Sequence, residues 1–246
     1  MNAWLSLNGR ILYWTLIGPW RGQPWRVSQV FRQMVVIGVQ ALPMASLTSF
    51  SIGLTLAMQS ASELKKLGGL SYVPGLVAVS LLRELGPLLV GVIVIGRSGS
   101  AVTAELGTMK VSEEIEALEV MAINPIRFLV VPRFLAMLVM LPVLTVFGDC
   151  VGMVGGWSIC NLALDFPTAA YIVRSLEYSD AFDLYSGLIK SVVFAWLIIT
   201  VACHMGLAVE GGAEGVGQAT TSSVVWSILL MLIANAVLTA LFFFAG

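Results

Sequence analysis

Five stretches of this chain are almost free of charge, and their length decides the fold class. Residues 33–62, 191–209 and 215–246 contain no Asp, Glu, Lys or Arg. Residues 67–96 carry only Arg83 and Glu84, and residues 134–164 only Asp149. A helix needs about 20 apolar residues to cross a bilayer. The runs therefore predict five transmembrane helices, roughly 36–60, 72–96, 134–160, 186–208 and 222–244. Composition argues against a water-soluble fold. The chain is 58% hydrophobic and 11% charged, with mean hydropathy +0.93, where an ordinary soluble domain carries about 25% charged residues. The formal net charge of −1 argues against a nucleic-acid partner, which calls for a basic stripe.

Residues 1–32 alternate aromatic and basic side chains: Trp4, Arg10, Trp14, Trp20, Arg21, Trp25, Arg26 and Arg32. Trp at headgroup depth with Arg reaching anionic lipid is the composition of an interfacial amphipathic helix; a disordered tail is the plainer reading. No cleavable signal peptide is visible, so the first span is expected to act as an uncleaved targeting signal. Lys and Arg counts orient the chain. With the N-terminus in the cytoplasm, that side holds Arg10, Arg21, Arg26, Arg32, Arg97, Lys110, Arg127 and Arg133, and the outer segments hold Lys65, Lys66, Arg174 and Lys190. The imbalance favours N-in, although Lys65-Lys66 runs against it. Cys150, Cys160 and Cys203 form no CxxC pair and read as small packing residues. The lone His204 reads as a packing or interface residue, and no metal site or cofactor is expected.

Arg83 and Glu84 are the informative charges. An ionisable group at membrane depth costs at least ~2.5–3.5 kcal/mol on insertion scales, so it faces a cavity, a partner or a polar ligand. Pro87 has no N–H, so the carbonyl of Arg83 loses its helical partner, and Gly86 weakens the helix beside it. Adjacent residues diverge by about 100° on a helix, so the pair can contact different partners. A guanidinium suits a phosphate. An interhelical ion pair that fixes packing remains the competing reading.

The link between the second and third spans reads GRSGSAVTAELGTMKVSEEIEALEVMAINPIRFLVVPR over residues 96–133. Ser112 is a plausible N-cap with Glu113 and Glu114 in the first turn. Ile115, Leu118 and Ala122 share one face, and Asn124-Pro125 ends the run. The prediction is a short acidic amphipathic helix over about 112–123. The anionic inner leaflet repels it, so it should dock on protein; a solvated connector is the alternative. Gly148, Gly152 and Gly156 in the third span, and Ser46, Ser49, Gly53 and Ala57 in the first, form small-residue faces for close helix packing. The chain has no P-loop, HExxH, GxSxG or Cys/His cluster. Asp149 is a lone carboxylate beside the glycine face that could relay protons.

LLRELGPLL at 81–89, GRSGSAVTAELGTMKVSEEIEALEVMAINP at 96–125, PRF at 132–134 and KSVVFA at 190–195 resemble the MlaE/YrbE permeases, membrane subunits of MCE-associated ABC lipid transporters. The resemblance runs from about residue 35 to the end. It implies an all-α integral membrane protein with an N-terminal interfacial helix (residues 1–32) and a five-helix permease domain (residues 33–246). A cytoplasmic coupling helix lies between the second and third spans. It further implies a homodimer in a bacterial inner membrane with its N-terminus cytoplasmic. The implied partners are a cytoplasmic ABC ATPase, a periplasmic MCE-domain protein and often a small STAS-domain protein, with phospholipid as cargo. The permease itself is then no enzyme. By the same resemblance Arg83, Glu84 and Gln59 fall at the lipid site. Glu105, Gly107, Met109, Glu113, Glu114 and Glu116 fall in the ATPase-coupling region.

Two rival functions stay open on the residues. A proton-coupled secondary transporter would use Arg83, Glu84 and Asp149, and usually shows an inverted repeat, which is not evident. A non-transporting membrane scaffold would use the glycine faces and the acidic helix for assembly alone.

Overall fold

The computed structural model describes residues 2–18 and 26–245; Trp20, Arg21 and Trp25 of the aromatic–basic alternation lie outside them. The described residues form helices and short connections, with no strand among them. Five helical stretches are long and apolar enough to cross a membrane: Val27–Lys66, Leu70–Val111, Ile126–Leu164, Ala181–Leu207 and Gly212–Phe244. The five expected spans are present, most with wider bounds. The chain divides into two compact units, one of Met1–Ala41, Val92–Met140 and Val193–Val237, the other of Leu42–Gly91, Leu141–Val192 and Leu238–Gly246.

The first unit contains α1 (Asn2–Leu12), α2 (Val27–Ile37), α6 (Ser100–Val111) and α7 (Glu114–Val120), with parts of α5 (Gly86–Val94), α8 (Val131–Leu164), α10 (Ala181–Leu207) and α11 (Gly212–Ala245). Ile37, Ile95, Leu106, Phe134, Met137, Phe194 and Ile198 are buried in it. Trp196 packs edge-on against Phe134, centroids 5.4 Å apart, and its Nε1 donates to Asn8 Oδ1 at 2.9 Å. That bond ties α1 to α10. The N-terminal segment is thus helical and packed over its described part, not a disordered tail. Thr103 Oγ1 joins Ser223 Oγ at 2.9 Å, the kind of hydroxyl pair that holds helices together where water is absent.

The second unit contains α3 (Leu42–Lys66), α4 (Val73–Ser80) and α9 (Thr168–Tyr178), with the remainder of α5, α8, α10 and α11. The two small-residue faces meet here, with Ala45 in the place expected of Ser46, whose Oγ instead donates to Leu42 O at 2.6 Å. Ala45, Ser49, Gly53, Ala57 and Ala61 recur every fourth residue along α3 and are all buried. A Cβ on Gly53 would collide with the carbonyl of Gly152, and one on Gly148 would lie 2.9 Å from Ser49 Oγ. Tyr171 joins Val73, Val77, Leu81 and Cys160 in the neighbouring core. Its hydroxyl donates to Met153 O at 3.0 Å, and burial pushes its pKa up to about 12, so it keeps its proton at any working pH.

Two boundaries differ from expectation. The second span does not end near residue 96: a π-helical turn at Ile95–Gly99 absorbs the glycines, and the helix continues as α6 to Val111. Ser112 is consequently not an N-cap. It closes α6, and its Oγ donates back to Thr108 O at 3.0 Å. Glu113 then turns left-handed (φ 60°), α7 runs only over Glu114–Val120, and Ala122 is left-handed as well (φ 58°). Ala122 therefore leaves the helical face on which Ile115 is buried and Leu118 half-buried. Asn124 does end the run, and its Oδ1 accepts from the backbone N–H groups of Ile126 and Arg127 at 3.0 and 3.3 Å. It thereby caps the turn that opens the third span.

Candidate functional site

Arg83 and Glu84 lie in a π-helical turn, Leu81–Leu85, between α4 and α5. As their adjacency implies, they take different partners. Arg83 Nε pairs with Asp183. Glu84 Oε1 accepts from Lys190 Nζ at 2.5 Å and from Thr239 Oγ1 at 2.9 Å. The carbonyl of Arg83, freed by Pro87, accepts a hydrogen bond from Lys190 Nζ at 3.1 Å. Lys190 also donates to Thr239 Oγ1 at 2.8 Å, so its three protons all have acceptors. An ammonium that is 1% exposed requires such complete pairing.

Asp183 is 1% exposed, and its second oxygen accepts the backbone N–H of Asp180 at 3.0 Å. The carboxylate is thus fixed at the start of α10 and cannot swing away from Arg83. The two sequence-singled residues themselves are only partly covered: the Arg83 side chain is 48% exposed and that of Glu84 36%. The Nη groups of Arg83 have no hydrogen-bond partner among the described residues. The cluster is neutral, preorganised on its buried side and open on the other.

Sequence reasoning did not find Lys190, Asp183 and Thr239. Lys190 read as an outer-loop cation and Asp183 as part of an acidic outer loop, yet both lie within α10. The available signal was charge balance, because two opposite charges at membrane depth that do not face each other each need an opposite partner. Gln59 lies exposed on α3, and no hydrogen bond among the described residues joins it to the cluster. Asp149 is 3% exposed, with Oδ1 unpartnered among the described residues. It presses on Gly86, where a Cβ would collide with that oxygen. It also lines a cavity of about 350 Å³ with Asp180, Ser175, Cys150 and Leu184.

The coupling candidates fall into two groups. Glu113 and Glu114 are exposed, beside the exposed Glu119, Val120 and Met121 that were not singled out, Val120 by 88%. The others pair or pack with neighbouring residues, Glu105 while still half exposed. Gly107 is buried, and a Cβ there would lie 2.8 Å from Val209 Cγ2, so it serves packing. Glu105 pairs at 2.8 Å with Arg133, which is 4% exposed, and Met109 lines a groove beside them. Glu116 pairs with Lys110, tying α7 back to α6. The hydrogen bond from Lys110 holds the Glu116 carboxyl below its ordinary pKa. That tie is present above the ordinary carboxylate pKa and is lost as pH falls through the lowered one. Glu116→Gln is expected to abolish this acid dependence. Amide exchange of residues 112–120, followed from neutral pH downward, checks it; a variant retaining the wild-type profile would show that the pair does not hold α7.

Among the described residues no group of His, Cys, Asp or Glu could hold a metal ion. The family model described as Permease MlaE matches residues 30–241. The chain is 40% identical over 220 residues to a probable ABC transporter permease protein of Rickettsia prowazekii, covering 89% of this chain and 85% of that one. It is 37% identical to a probable ABC transporter permease protein of Synechocystis, covering 86% and 80%. With the intermembrane phospholipid transport system permease protein MlaE of Haemophilus influenzae it shares 36% identity over 219 residues, covering 87% and 83%.

Proposed function

The chain belongs to the MlaE permease family, and on that premise we propose that it moves phospholipid between a bacterial inner membrane and the cell envelope. It works as one of two identical permease subunits driven by a separate cytoplasmic ATPase. The observation that carries this reading is the half-open cluster of Arg83, Glu84, Asp183, Lys190 and Thr239. Hydrocarbon is a poor neighbour for an exposed guanidinium. A phosphate on the free Nη edge of Arg83 would satisfy it, with a second subunit closing the space around the lipid. The relative from Haemophilus influenzae carries phospholipid transport in its name, in keeping with this chemistry.

The coupling role goes to α7. Left-handed residues at both ends set its angle, and the Lys110–Glu116 pair makes it move with α6. Its acidic and apolar outer side suits a groove on an ATPase. A periplasmic MCE-domain protein, with a STAS-domain protein on the ATPase, completes the proposed assembly. A cytoplasmic N-terminus is the orientation that the cation bias of the sequence favours.

One observation favours a second reading: the unpartnered Asp149 oxygen shares a cavity with Asp180, as a proton-coupled carrier would require. Reconstitution with the ATPase and the MCE-domain protein in liposomes separates the two. Labelled phospholipid transfer is expected to need ATP, to survive collapse of the proton gradient, and to fall at least tenfold in Arg83→Ala. Glu113→Lys with Glu114→Lys is expected to leave the ATPase running while transfer stops. Transfer without ATP, or an unaffected Arg83→Ala, would reject the proposal.

A further inference from the structure

A cavity of about 280 Å³ in the first unit is lined by Trp14, Arg26, Asn124, Arg127, Phe128 and Pro132, among others. Both arginines lie over aromatic rings: Arg26 stacks 4.1 Å from the Phe128 centroid, and Arg127 sits within cation–π range of Trp14, 5.8 Å from its centroid. No carboxylate lines the cavity, and neither arginine belongs to an ion pair among the described residues. Stacking occupies the face of a guanidinium and leaves its N–H edge to other partners; Arg26 Nη1 donates to the Gln29 amide oxygen at 3.1 Å, and its other N–H groups remain for a ligand. Two such edges on one cavity make a site for a doubly coordinated anion.

Depth identifies the anion. Arg26 directly precedes the first span, which begins at Val27, and Arg127 is the second residue of the third, which begins at Ile126. Successive spans cross in opposite directions, so both ends emerge on the same face, where lipid phosphates sit. We propose that this cavity holds the headgroup phosphate of an anionic phospholipid as a resident lipid, separate from the Arg83 cluster and from transported cargo. The two guanidiniums repel a choline or ethanolamine cation, so phosphatidylglycerol should be preferred to phosphatidylcholine. This inference needs only the membrane placement, not the transport reading.

The test uses the full chain purified in non-ionic detergent. Native mass spectrometry should show phosphatidylglycerol binding at least tenfold tighter than phosphatidylcholine, and Arg26→Gln with Arg127→Gln should weaken it about tenfold. Arg26→Gln with Arg127→Gln should weaken binding by the same factor in an Arg83→Gln background, which keeps the site distinct from the proposed cargo site. A photoactivatable phosphatidylglycerol on the unmutated protein should label peptides containing Phe128 or Trp14, a readout that holds even if the double variant fails to fold. Equal binding of the two lipids, or labelling confined to other peptides, overturns the proposal. Millimolar inorganic phosphate displacing the lipid completely overturns it as well, since a free anion would then be the natural occupant.

Discussion

Lys190→Met is expected to destabilise this protein more than any other single change in the polar cluster. The ammonium is buried and donates to three acceptors. Removing it takes the Lys190 ammonium from Glu84 and one hydrogen bond from the Arg83 carbonyl, whose helical donor Pro87 lacks. Breaking one partner of a buried ion pair costs about 3–5 kcal/mol. The lower end applies here, about 3 kcal/mol, because Glu84 is partly exposed. Adding Glu84→Gln to Lys190→Met should recover most of that loss, since a neutral amide still accepts from Thr239 and no charge is left behind. Transfer of phospholipid should nonetheless stay impaired in the double variant, because the carboxylate on the open side of the cluster is gone. Unfolding midpoints in detergent and transfer in liposomes measure the two effects separately. A Lys190→Met protein as stable as the unmutated one would mean that Lys190 and Glu84 are not paired.

The course of the chain through the membrane was legible because charge is costly in hydrocarbon wherever it occurs. Five nearly uncharged runs led to five spans, and the adjacent charges in one of them marked the cluster. The freed Arg83 carbonyl was legible too, since the missing proline N–H is a local fact. The partners were not. Asp183 and Lys190 lie about a hundred residues further along the chain, and near the edge of a span a charge that snorkels and a charge that folds inward look identical in sequence. The edges of α6 and α7 failed for a different reason. Ser-Glu-Glu is good N-cap chemistry, but the preceding helix has no proline over residues 95–111 and runs through its glycines, so it consumed the serine and left Glu113 to make the turn. No local preference announces a left-handed glutamate; surrounding packing imposes it at a cost of roughly 1–2 kcal/mol.

Gly53→Ala is expected to be far more damaging than Gly152→Ala, although both glycines lie on the same helix contact. Alanine in a helix gains about 0.8–1.0 kcal/mol over glycine, so each substitution begins with an advantage. At Gly53 the new methyl would strike the backbone carbonyl of Gly152, which has no rotamer to yield. The helices must separate, and Ala45, Ser49 and Ala57 lose close contact along the same face. Overpacking of this kind costs about 3 kcal/mol or more when backbone cannot move aside, well beyond the propensity gain. At Gly152 the methyl would instead meet Leu81 Cδ1 at 3.0 Å, the far end of a flexible side chain, with Ser49 O at 3.3 Å. That cost is about 1 kcal/mol, so the substitution should be close to neutral in unfolding midpoint. Leu81 is also the first residue of the turn that carries Arg83 and Glu84. A variant at Gly152 that folds normally but transfers lipid more slowly would therefore locate the effect in that turn. Equal unfolding midpoints for the two glycine variants would show that α3 and α8 do not approach each other closely at this point.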